Sequence, residues 1–220
     1  MSGPSHWLAI ISVAAAFALG GCDADTNGLE RMSSAQVLQA AVAALKAAPS
    51  VRFSGDIVSD GGPGEIDLRI QGSTISSTLT VGGARTEIVK VGDEVYLRGD
   101  EPALTAAGLP AEAVGTWLVL GAEHAALVAG YSLDSLASSL TDLDSPLRPQ
   151  VEQAMLDGRK TVVISQQNGS RLYIANTGPA YPLRGMLAGA GGGHLYFTEY
   201  GGDFQISAPT GAVSLGDLAL

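Results

Sequence analysis

The spacing of apolar residues divides this chain into stretches of different period. Trp7 to Leu19 is a run of small and apolar residues, and it ends at Leu19-Gly20-Gly21-Cys22. Asp23 to Met32 is polar and reads as a tether. Behind it Val37, Leu38, Ala41, Ala44, Leu45 and Ala48 recur at helical spacing, with Ser33 or Ser34 as N-cap and Pro49 as the stop. From Val51 the period falls to two. Val51 to Ile57, Glu65 to Ile70, Ile75 to Val81, Thr86 to Val91 and Glu94 to Leu97 read as strands. Between them lie the turns Gly61-Gly62-Pro63-Gly64, Gln71 to Thr74, Gly82-Gly83 and Gly92-Asp93. Strands of this length on short glycine turns predict an antiparallel meander with one apolar face and one wetted face.

The middle breaks the alternation. Glu101 to Val114 holds two prolines and several alanines, and reads as short helix and loop. Thr116 to Leu120 is a short strand carrying Trp117. Ala122 to Met155 has a broken helical pattern. Leu133, Leu136 and Leu140 make one face, Leu147 to Met155 another, and Ser145-Pro146 stands between. This stretch is expected to lie across the sheet as a helical lid. Strands then return at Lys160 to Gln166 and Arg171 to Ala175, joined by the hairpin signal Asn168-Gly169. Tyr181 to Leu187, His194 to Tyr200 and Phe204 to Ser207 follow.

The opening run is too short for a membrane span of about 20 residues and has the pattern of a secretory signal peptide. With Leu at −3, Gly at −2 and −1, and Cys at +1, it reads as a lipobox. In that chemistry the Cys22 thiol takes a diacylglycerol, the peptide is cut before Cys22, and the new amine is acylated, for example by palmitate. Two or three chains hold a soluble domain far better than one, since each buried methylene contributes about 0.8 kcal/mol. The segment Met1 to His6 departs from the pattern in having no Lys or Arg. The bland alternatives are a free cysteine near an ordinary cleavage site, or a buried thiol. The expected organisation is a signal peptide at 1–21, a lipidated tether at 22–32 and one domain at 33–220, held at the cell membrane on its extracytoplasmic side.

The formal net charge of −10 falls entirely after residue 22. Such a domain is a poor match for nucleic acid, and it should not adhere electrostatically to anionic lipid, so attachment falls to the acyl chains. With its single cysteine acylated the protein forms no disulfide and no cysteine-based zinc site. His124 and His194 stand alone, without HExxH or paired spacing, and read as structural. No G-x-S-x-G elbow is present, and the runs Gly61 to Gly64 and Gly189 to Gly193 lack the Lys-Ser/Thr of a phosphate loop. Asp56, Asp60, Glu65, Asp67, Asp93, Glu94 and Asp100 are scattered without a calcium-loop spacing, and solvated outer faces explain them. Asn168-Gly169-Ser170 matches an N-x-S sequon, but a bacterial lipoprotein gives no reason to read glycosylation from it. No cofactor is implied and no enzymatic activity is expected.

Four stretches carry a likeness to a known family. They are the first helix with Ser50-Val51-Arg52-Phe53-Ser54-Gly55; Val91-Gly92-Asp93-Glu94-Val95-Tyr96-Leu97-Arg98-Gly99; Gly115-Thr116-Trp117; and Tyr181-Pro182-Leu183-Arg184-Gly185 leading into His194-Leu195-Tyr196-Phe197-Thr198-Glu199-Tyr200-Gly201. With the lipobox, and with a lid between two meanders, the chain resembles the actinobacterial lipoproteins of the LppX, LprA, LprF and LprG group. The resemblance implies an α+β half-barrel: one curved antiparallel β-sheet with helices covering its concave face, similar to LolA and LolB. It also implies a ligand, a lipid or glycolipid whose acyl chains fill the hollow, and an envelope transporter as a partner.

Bottom-up, a lipid pocket needs many apolar groups and few polar ones. The apolar faces of the strands supply Phe53, Ile57, Ile66, Leu68, Ile70, Leu79, Ile88, Val95, Leu97, Val162, Ile164, Leu172, Ile174, Leu195 and Phe197 as cavity candidates. For any one of them ordinary core is the plainer reading. The second functional class is an anchored interaction module with a filled core and no ligand cavity.

Overall fold

The computed structural model describes residues 26–59, 62–121, 128, 130–189 and 192–218. His124, Asp60, the leader and Cys22 lie outside them, as does the side chain of Ile57. The first helix, α1 (Ser34–Lys46), begins at Ser33, whose Oγ accepts from Gln36 N while Gln36 Oε1 accepts from Ser33 N. This reciprocal cap satisfies two donors that the first turn leaves open. The segment before it is docked rather than loose. Leu29 is buried, and Asn27 Nδ2 donates to the carbonyls of Ala175 and Gly178.

The strands β1 (Ser50–Ser59), β2 (Gly62–Gln71), β3 (Thr74–Val81), β4 (Ala84–Val91), β5 (Glu94–Gly99) and β6 (Leu118–Leu120) form the expected meander. A second meander runs through β7 (Glu152–Leu156), β8 (Arg159–Ser165), β9 (Arg171–Ala175), β10 (Pro182–Leu187) and β11 (Gly193–Thr198). The two join where β1 pairs antiparallel with β11, giving one open curved sheet. A last short strand, β12 (Val213–Ser214), pairs parallel with β6, so the sheet is mixed and not wholly antiparallel.

Three expectations are corrected. Leu147 to Met155 is not helical: Leu147 bridges Gln166, and Glu152–Leu156 is an edge strand on β8. Pro146 and Pro149 break any helix there, and β8 offers an unpaired edge. Helix in the lid is confined, among the described residues beyond 130, to α3 (Leu133–Ser139). Phe204 to Ser207 is not a strand. Its predecessor β11 is flanked on both sides by β1 and β10, so no neighbouring edge is left for a hairpin return. The chain instead crosses to the far edge and pairs there as β12.

Register explains the core. Leu118, Leu97, Ile88, Ser77, Leu68, Phe53 and Phe197 stand opposite one another across seven strands, on the face that carries the helices. At one end of this row Ile88, Val95, Leu97, Leu118 and Leu120 pack with Leu104 of α2 (Glu101–Ala106) and with Val213 and Leu215. At the centre Phe53, Leu68, Ile70 and Phe197 pack with Leu45 of α1 and with Leu136 and Ala137 of α3. On the other half Val37, Leu38 and Ala41 of α1 cover Val162, Ile164 and Ile174. Each large side chain buried this way contributes about 1.5–3 kcal/mol. The opposite face is polar. Arg52 donates to both Asp67 oxygens at 3.0 and 2.8 Å and to Glu199 at 3.0 Å, which holds its guanidinium pKa above the usual range.

Candidate functional site

A cavity of ≈ 130 Å³ lies between the second meander and its cover. Its floor is Phe53 of β1, Leu195 and Phe197 of β11, Gly185 of β10, Leu172 of β9 and Ile164 of β8. Its roof is Leu38 of α1 with Leu140, Leu143 and Leu147. The strand pairing explains why there is space. Gly55, Leu195, Gly185, Leu172 and Ile164 stand opposite one another in successive strands. Gly185 therefore puts no side chain between two leucines, and the floor is thinnest there. A Cβ at Gly185 would come within 3.3 Å of the Leu195 Cβ. Phe53 and Phe197 close one wall, their rings tilted by 58° with centroids 5.1 Å apart.

The exposed lining residues are Ser139, Asp142, Asp144, Arg171 and Leu187, so the mouth lies where β8 ends, β9 begins and β10 ends. Two polar groups there are committed to structure. Gln166 Oε1 accepts from Ser145 N at 3.1 Å, and Ser170 Oγ accepts from Ala188 N at 3.1 Å. Arg148 N and Gln167 N donate to Ser165 O and Pro146 O. The roof is thus pinned to β8 at 145–148. The nearest backbone bonds of Thr141 and Asp142 run back to Ser138 and Ser139, within the roof itself. Residues 140–144 are held by these bonds and by the packing of Leu140 and Leu143 on the core. The lining is mainly aliphatic and aromatic, with charge only at the rim, which suits a hydrocarbon chain carrying a polar head. In volume the cavity resembles an apolar cavity of about 150 Å³ that takes up benzene, and it is smaller than the roughly 300–1,000 Å³ of common ligand sites.

Of the candidates named from sequence, Phe53, Ile164, Leu172, Leu195 and Phe197 line this cavity. Ile66, Leu68 and Ile70 belong to the central packed cluster. Ile88, Val95 and Leu97 sit in the filled half under α2 and β12. Val162 and Ile174 are sealed beneath α1. Leu79 is half-buried in β3, outside the three clusters. Sequence reasoning missed Leu38, Leu140, Leu143, Leu147, Gly185 and Leu187. The spacing of Leu140, Leu143 and Leu147 was the available signal, since a run of leucines in a lid has to face the hollow.

The other polar features are structural. His194 Nδ1 lies 3.3 Å from Arg184 Nη2, and that guanidinium covers the Tyr196 ring. Asp100 caps α2 by accepting from Ala103 N at 3.0 Å. Burial draws the Glu87 carboxyl upward, but hydrogen bonds from Arg85 and Arg98 outweigh it and hold the pKa below the usual carboxylate range. Arg98 also covers Trp117, 4.6 Å from the ring centroid. No group of three metal-ligating side chains gathers among the described residues, and no helix among them is long and apolar enough to cross a membrane.

Solved structures with the same architecture are known. LprF from Mycobacterium bovis superposes with a TM-score of 0.56 at 15% identity, over 81% of this chain and 97% of that one. The lipoprotein LppX of Mycobacterium tuberculosis superposes with a TM-score of 0.51 at 14% identity, over 79% of this chain and 98% of that one. No family model matches the sequence, and no curated protein matches it.

Proposed function

We propose, from the half-barrel fold this chain shares with LprF and LppX, that it is a lipid-anchored envelope protein that binds an acylated lipid or glycolipid and carries or presents it. Cys22 is the anchor. The observation that supports the reading is the apolar cavity with a charged rim, roofed by Leu140, Leu143 and Leu147. Binding is passive. A chain enters as residues 140–144 lift, its burial supplies the free energy, and the head group stays at the rim beside Asp142, Asp144 and Arg171. No covalent step is needed. At ≈ 130 Å³ the closed cavity holds only part of one chain, so loading requires the roof to move outward. The small volume is also the one feature that favours the second reading, an anchored interaction module.

The test is native mass spectrometry of the domain from Asp23 onward, with organic extraction of whatever co-purifies. Bound acylated species are expected in the parent protein. They are expected to fall at least several-fold in Leu143→Trp and in Gly185→Leu, which fill the cavity from the roof and from the floor, while circular dichroism shows the fold retained. A clean apo mass after incubation with diacyl and single-chain envelope lipids would move the assignment to the interaction module.

A further inference from the structure

The position of the anchor relative to the cavity carries a second conclusion, which rests on Cys22 being acylated. Asn27 is fixed to the end of β9. Its N–H donates to Asn176 O at 2.9 Å, and its amide donates to Ala175 O and Gly178 O. Thr26 Oγ1 donates to Glu30. Only four peptide steps separate Cys22 from Thr26, and at about 3.6 Å each they reach no more than about 14 Å. Whatever path they take, the end of the sheet at Asn176 is held close to the acyl chains.

That end has the surface a bilayer would accept. Asn176 shares a surface depression with Met155 and Lys160 of the β7–β8 hairpin. Met155 is 63% exposed, the most exposed of the large apolar side chains among the described residues. Arg159 and Lys160 are exposed at this hairpin beside Asp157 of its turn and Glu152 of β7, so its formal charges balance. The cavity mouth lies at the other end of the same strands. From Lys160 to Ser165, β8 rises about 17 Å at about 3.3 Å per residue. Its far end meets Gln166, Ser170 and Arg171 at the mouth, beside Asp142 and Asp144.

We propose that the domain sits on its own membrane through the β7–β8 hairpin end, with the cavity mouth turned away from the bilayer. The partner of the hairpin end is the lipid surface that holds the acyl chains, kept in reach by the short tether and met by the exposed Met155, not drawn there by charge. A ligand then leaves or arrives through the aqueous side, by contact with a second protein or an opposing surface, and does not slide in laterally from the leaflet that holds the anchor.

The test uses the acylated full chain in vesicles of phosphatidylcholine and phosphatidylglycerol that carry a quencher on the head group. Met155→Cys and Gln167→Cys, both exposed positions, are labelled separately with a small fluorophore, and intact mass reports the state of Cys22. Quenching several-fold stronger at position 155 than at 167 is the expected result. Equal quenching, stronger quenching at 167, or none at either position in acylated protein that floats with the vesicles overturns the orientation and leaves the anchor standing. A mature mass without acyl chains, with protein that does not float, overturns the anchor and the orientation together.

Discussion

Two glycines decide what the sheet can do. Gly55 stands in β1 at a positive φ, facing Leu195 across the seam between the two meanders. A Cβ there would lie 2.0 Å from His194 O, which is backbone and cannot swing aside. Gly72 also has positive φ, but a Cβ there meets nothing within 4 Å. Gly72→Ala should therefore cost only the left-handed strain, about 1–2 kcal/mol. Gly55→Ala should cost clearly more, since it adds a forced separation of β1 from β11 to a similar strain. Urea unfolding of the two variants checks the order, and equal losses would show that the seam tolerates the methyl. Gly185 works differently: it leaves a gap in the row of leucines, and that gap becomes the cavity floor.

Among the elements, α1 was the most legible. Ser33, the repeating apolar positions and Pro49 located it, and the structure adds the reciprocal bond with Gln36. Its first turn also joins the lid, because Ser34 N and Oγ donate to Pro149 O and Gln150 O. Ser33→Ala should cost about 1 kcal/mol and lower Tm by about 2–4 °C, as read by calorimetry. A loss beyond that range would mean the cap also secures the lid. The hairpins were legible for a related reason: their turns need residues such as Gly72, Gly92 and Gly169, which are at positive φ in the structure. The lid was not. Ala122 to Met155 has apolar spacing that suits either a helix or a chain draped over a surface, and Pro146 and Pro149 settle which only once the unpaired edge of β8 is in place.

Over the whole molecule, the curved sheet has a centre and two edges of different strength. β1, β2 and β11 are paired on both sides and packed under Leu45, Leu136 and Ala137. β7 and β12 are edge strands, and Met155 leaves much of β7 uncovered. Native-state hydrogen exchange should show slowest exchange at Val51 to Phe53, Leu68 to Ile70 and Phe197, and fast exchange in β7 and β12. Slow exchange in β7 would mean that something covers this edge. The central strands and the edges thus divide the work. The seam holds the halves as one body, while the proposed loading step falls to the roof at residues 140–144, whose backbone bonds at Thr141 and Asp142 stay within the roof.

Which residues face the hollow was decided by the sequence itself, because side chains in a strand alternate with period two and one face must leave water. The same alternation supplied the candidates Phe53, Ile164, Leu172, Leu195 and Phe197. It could not tell these from Ile88, Val95, Leu97, Val162 and Ile174, which have the same pattern and are buried as Phe53, Ile164 and Phe197 are. Only the tertiary structure separated them. Leu104, Val213 and Leu215 fill one part of the hollow and α1 another, while a void remains beside Gly185. Local pattern reports that a side chain is buried. What it is buried against depends on contacts with residues far away along the chain.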